Sequence, residues 1–83
     1  MDTRLGFVGL IVENRKENAA AVNAVLSEYG DLILARTGIP CPEKECSAIT
    51  VVVRATTDEL GALTGKLGRL PGITVKSMLS KAR

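Results

Sequence analysis

The sequence contains no histidine and no tryptophan, and its aromatic residues are Phe7 and Tyr29 alone. Without an imidazole, acid–base chemistry near neutral pH would fall to carboxylates, and any histidine-containing metal site is excluded. Two cysteines, Cys41 and Cys46, are too few ligands for a closed zinc site, which needs four. No run of about 18 apolar residues occurs, so no transmembrane helix is expected. Asp2 and Arg4 precede the first apolar stretch, unlike a secretory signal, and a cytoplasmic location is the expectation. The formal net charge of +2 is dispersed, and neither a helix-turn-helix nor a basic ribbon is visible for direct reading of DNA.

What is there is aliphatic. Hydrophobic residues make up 46% of the chain and aromatic ones 2%, so a core must come from Val, Leu, Ile and Ala, which suits a thin layer of helices on a sheet. A single domain over residues 1–83 is expected, and at that size only about 60–65% of the unfolded surface becomes buried.

The most explicit stretch is Thr56 to Val75. Thr56 and Glu59 have the spacing of a capping box, and Asp58 and Glu59 sit where a helix dipole favours negative charge. Leu60, Leu63, Leu67 and Leu70 follow on one helical stripe. Gly61, Gly65 and Gly68 form a second stripe, each costing about 0.8–1 kcal/mol relative to Ala. Two readings offset that cost: close packing against a neighbouring element, with Ala20, Ala21 and Ala24 of the first helix as candidates, or an interface for another subunit or a ligand. Pro71-Gly72 then supplies a tight turn with positive φ at the glycine.

Upstream, Leu5 to Val12 is an uncharged apolar run of strand length, and both of its faces require cover. Asn14, with Glu17 three residues on, is placed to cap a helix over about residues 15–29, and Gly30 stands where a left-handed helix stop is expected. Leu32 to Ile39 reads as a strand with a bulge or bend at Gly38, Pro40 to Ser47 as a loop, and Ala48 to Ala55 as a strand. With Ile73 to Leu79 the order is βαββαβ, an α+β ferredoxin-like two-layer sandwich. Strands one and three are then central and strands two and four are edges. Two helices cover one face only. The other face exposes one alternate set of each strand, for example Val8, Leu10, Ile49 or Val51 depending on register, so a homo-oligomer, dimer or tetramer, packed sheet to sheet or edge to edge, is expected.

Chemistry-bearing residues are few. Asp31, Asp58, Glu59 and the Glu13/Glu17 pair have turn, cap or surface positions, so no catalytic residues and no enzyme activity are expected. Small ferredoxin-like enzymes that hydrolyse acyl phosphates need a glycine loop after the first strand, where this chain has Glu13-Asn14-Arg15. No cofactor is implied. Asn14, Arg15 and Lys16 lie at the start of the first helix, where backbone N–H groups favour an anion. They form either a solvated cap or, with Arg36 and Gly38 of the second strand, a site for a small carboxylate or phosphate effector. Cys41 and Cys46 could close a small disulfide or share a metal between subunits, but inert free thiols are the expectation.

Several segments together resemble one family. FVGLIVENR, DLILARTGIP, AITVVV and especially ELGALTGKLGRLPGITVKS are similar to the regulators called iron-only hydrogenase system regulators, and the similarity covers nearly the whole chain. The resemblance implies an ACT-like fold, related to the C-terminal domain of nickel-responsive regulators. It also implies a transcriptional regulator or small regulatory module of the iron-only hydrogenase system in anaerobic bacteria. Alternatives are a non-catalytic interaction module in hydrogenase maturation or a cysteine-based metal or redox sensor. Cys46 falls where the nickel-responsive domain has a ligating cysteine, but its histidine partners have no counterpart here. The ACT effector loop carries Pro and Gly that Glu13 to Lys16 lacks.

Overall fold

Strands β1 (Arg4–Val12) and β3 (Ser47–Ala55) pair antiparallel along their whole length, from Arg4 opposite Ala55 to Val12 opposite Ser47. In this computed structural model, which describes residues 2–41 and 45–81, they form the centre of a four-stranded antiparallel sheet in the order β2-β3-β1-β4. The edges are β2 (Ile33–Pro40) and β4 (Ile73–Leu79). Helices α1 (Arg15–Glu28) and α2 (Thr57–Gly68) pack on one face, completing the βαββαβ sandwich. No described helix is long and apolar enough to cross a membrane.

The core is the seam between helices and sheet. Val8, Leu10 and Val12 of β1 and Ile49, Val51, Val53 and Ala55 of β3 meet Val22 and Leu26 of α1 and Leu60, Leu63 and Leu67 of α2. The leucine stripe of α2 is therefore its anchor, with Leu70 partly buried beside it. The capping box is formed as the spacing predicts. The Thr56 hydroxyl accepts from the Glu59 N–H at 3.1 Å, and the Glu59 carboxylate accepts from the Thr56 N–H at 2.8 Å. Between the helices, Lys66 donates to Glu28 at 2.6 Å and stands 5.5 Å over the Tyr29 ring. Donating this hydrogen bond to Glu28 raises the Lys66 pKa above its ordinary value.

The register decides which alternate set lies on the open face, and it is not the set that contains Val8 and Leu10. Val8, Leu10, Ile49 and Val51 all lie beneath the helices, and Leu5, Phe7, Ile11 and Met78 are exposed instead, between 40% and 54%. Both alternate sets of β1 lack charge, so composition alone could not choose between them. Phe7 stands opposite Val52 on one side and Met78 on the other, and Ile11 opposite Ala48 and Thr74.

Other expectations are corrected locally. Asn14 occupies the N-cap but with left-handed angles (φ 50, ψ 57), and its side chain makes no cap hydrogen bond. Its carbonyl instead accepts from the N–H groups of Glu17 and Asn18, both at 3.0 Å. Gly30 is not a left-handed stop: α1 ends at Glu28 and a 3-10 turn over Gly30–Leu32 carries the chain onward. The irregularity of β2 lies between Ile33 and Ala35, at Leu34, and Gly38 pairs regularly with Ile49. The glycine with positive φ (74°) is Gly72, in the turn after α2, where the Gly72 carbonyl accepts from the Glu13 N–H at 2.8 Å.

The glycine stripe of α2 does not pack closely within the chain. A Cβ built on Gly61 or Gly65 meets nothing within 4 Å, and one on Gly68 meets Val75 at 3.7 Å, an ordinary contact. The alanines of α1 therefore do not supply the close neighbour. Close approach occurs at Gly6 instead, where a Cβ would lie 2.3 Å from the Met78 carbonyl oxygen of β4. The expectation of free thiols also fails. Cys41 and Cys46 form a disulfide across the β2–β3 hairpin, with Cα atoms 5.3 Å apart and the Cys41 N–H donating to the Cys46 carbonyl at 2.9 Å. The loop positions 42–44 lie outside the described residues.

Two measurements check this account. The pair Gly61→Ala and Gly65→Ala raises stability in chemical denaturation by roughly 1.5–2 kcal/mol through helix propensity, whereas Gly6→Ala lowers it by about 1–3 kcal/mol through overpacking. Thiol titration of the denatured chain finds no free thiol before reduction and both Cys41 and Cys46 after it.

Candidate functional site

Strand β2 lies beyond the cover of the helices: every residue from Leu34 to Pro40 is exposed. Arg36 pairs with Val51 and Gly38 with Ile49, both core residues, so Arg36 and Gly38 share the face on which α1 lies. Between that strip and α1 is a hollow of about 260 Å³. Its apolar wall comes from Val12, Ala19, Val22, Pro40 and Ile49, its polar groups from Arg15, Asn23, Arg36 and Ser47, with Gly38 and Ile39 completing the β2 side.

The two arginines set its electrostatics. Arg36 donates from Nη2 to the Asn23 side-chain oxygen at 2.6 Å, which fixes the guanidinium against α1. Among the described residues no carboxylate lines the hollow, and neither guanidinium forms an ion pair. Two cations thus flank an apolar wall with no counter-charge among the described residues, an arrangement that favours an anion. Gly38 leaves the space open, since a side chain there would project toward Ile49, 3.8 Å from the Cβ position.

Of the residues singled out from the sequence, Arg15, Arg36 and Gly38 come together around this hollow and Asn14 does not. The start of α1 is less available to an anion than its position suggests. The Arg15 N–H donates to the Glu45 carbonyl at 2.8 Å, and Lys16 pairs with the Glu45 carboxylate at 3.3 Å. Asn18, which the sequence did not single out, spends its side-chain amide on the Glu13 carbonyl at 2.7 Å. Asn23 and Ser47 were also missed. Asn23's place beside Arg36 and Ser47's place opposite Pro40 depend on helix rotation and strand register, neither of which leaves a short-range signal. Both cysteine sulfurs are consumed by the disulfide, so neither is a free metal-binding thiolate. A second, shallower depression of about 270 Å³ lies over Gly9 on the open sheet face, beside Ile11, Thr50 and Lys76.

Solved structures with the same fold include protein TM1266 from Thermotoga maritima, 34% identical over 96% of this chain and 100% of that one, with a TM-score of 0.91. The ACT domain of the GTP pyrophosphokinase of Chlorobium tepidum is 19% identical over 92% of this chain and 99% of its own, with a TM-score of 0.73. The C-terminal domain of the MgtC protein from Mycobacterium tuberculosis is 15% identical over 96% and 90%, with a TM-score of 0.74. The last two likenesses are of fold. No match was found among curated proteins. The model of the TM1266-like family, described as "Iron-only hydrogenase system regulator, putative", matches residues 4–77, and the chain belongs to that family.

Proposed function

We propose that this chain is a small regulatory module of the iron-only hydrogenase system, assembling as a homo-oligomer in the cytoplasm and sensing a small anion in the hollow between α1 and β2. The observation that carries the reading is the pair of guanidiniums, Arg15 and Arg36, lining a hollow in which, among the described residues, no carboxylate takes part and neither guanidinium is ion-paired. A purely structural arginine on an exposed strand has no need of a hollow. Assembly is supported by the open face, where Leu5, Phe7, Ile11 and Met78 would be covered by a second sheet. None of the described elements is a helix-turn-helix, which favours regulation through partner proteins over direct DNA reading.

The disulfide favours a second reading, a redox sensor. Persistent disulfides are uncommon in the cytosol, where those that form are mostly transient or sensing. Reduction by a cellular dithiol would consume two electrons and two protons, leave Cys41 and Cys46 as thiols and free the hairpin end.

A ligand at about 100 times its Kd stabilises by about 2.7 kcal/mol, which raises the Tm of a chain this size by on the order of 10 °C. The ligand-sensing reading expects such a rise with at least one small anion and its loss in Arg36→Met. Absence of any shift across carboxylates, phosphate, nucleotides and metals, with a stable protein partner recovered, would leave the chain an interaction module. A Tm and partner profile that changes with thiol state alone would favour the redox reading. By light scattering the wild type is larger than a monomer, and Phe7→Lys with Met78→Lys is monomeric.

A further inference from the structure

We infer that the hollow between α1 and β2 takes a short, branched aliphatic carboxylate that carries no amino group. The inference rests on the ligand-sensing reading and names the class of ligand. Size is the first constraint. About 260 Å³ falls below the 300–1,000 Å³ usual for drug-sized ligands, so the part of an occupant that the hollow can cover has few heavy atoms. Nucleotides are a poor match in chemistry as well, because Phe7 and Tyr29 lie elsewhere and the lining offers no aromatic ring on which a base could stack.

The polar side selects the head group. Arg36 is held by Asn23, so its planar fork is already oriented when a ligand arrives, and a carboxylate can accept two parallel N–H bonds from it. Arg15 adds a second cation on the same rim. The apolar side selects the body. Val12, Val22 and Ile49 form a core floor that is already closed to water, and the apolar surface left open to a ligand's methyl groups is chiefly that of Ala19 and Pro40 above it. Each methylene so buried is worth about fourfold in affinity. Inorganic phosphate uses the arginines and gains nothing from the open apolar surface of Ala19 and Pro40.

The lining also argues against an ammonium. Among the described residues it contains no Asp or Glu, and the Asn23 oxygen is occupied by Arg36. The amino group of an amino acid would therefore lose water beside two cations and gain no counter-charge. A plain, 2-oxo or 2-hydroxy acid avoids that cost.

The test is calorimetric titration of the full chain with 3-methylbutanoate, L-leucine, 3-methylbutylamine and inorganic phosphate. We expect 3-methylbutanoate to bind at least tenfold more tightly than leucine or phosphate, and the amine not to bind. Arg36→Met should weaken 3-methylbutanoate by roughly tenfold to a hundredfold, the range for a hydrogen bond to a charged group. Gly38→Val, at a position with no positive φ and an ordinary Cβ contact, should block binding by filling the hollow while circular dichroism stays native. Leucine binding as tightly as 3-methylbutanoate would overturn the exclusion of the amino group. Arg36-dependent binding of phosphate alone would overturn the carboxylate class and leave the anion-sensing reading standing. Failure of every probe to bind in an Arg36-dependent way would overturn both.

Discussion

Both helices lie on one face of a four-stranded sheet, and that one-sided cover governs where the chain is dry and where it is hollow. Right-handed crossovers deliver both helices to the same side. Beneath them Val8, Val51, Val53, Leu63 and Leu67 are wholly buried, whereas β2 protrudes past the helices and is exposed from Leu34 onward. The hollow beside α1 is the direct result: its floor is core, and its outer wall is a strand without a lid.

Within that frame the local chemistry is consistent from level to level. The leucine stripe, the capping box and the Gly72 turn all specify α2 and its return into β4, and each is realised in the fold. The junction of β1 and α1 is held differently, by backbone donors. Glu13 reaches Gly72 and Arg15 reaches Glu45, so the start of α1 is tied both to the turn after α2 and to the hairpin end that carries the disulfide. This tethering consumes N–H groups that a free helix start would offer an anion, and the cationic character of the region passes to the side chains of Arg15 and Arg36.

Much of the fold was legible in the sequence because its signals are short-range. Capping, helical periodicity and turn residues act over a few positions, and they gave both helices and the strand order. What was not legible depends on tertiary choice. Which face of β1 turns inward is undecided when both Leu5/Phe7/Ile11 and Val8/Leu10/Val12 are apolar. The irregularity of β2 falls at Leu34 rather than Gly38 because it is a matter of register against β3. The glycines of α2 suggested close packing, but a small residue only permits a neighbour and does not supply one. Arg15, Arg36 and Gly38 were legible as candidates. Asn23, which orients Arg36, became visible only once α1 was laid beside β2. Pairing of Cys41 with Cys46 likewise follows from the hairpin that brings them opposite each other.

The displaced residue at Leu34 and the proline at position 40 stand at the two ends of the same outer strand. An edge strand offers unpaired ladder groups to any extended peptide, and bulges and prolines are what interrupt such growth. Here only the stretch from Ala35 to Ile39 is left regular, too short a template for indefinite strand-upon-strand polymerisation. The apolar sheet surface is thus left open without strand-upon-strand growth being invited along β2.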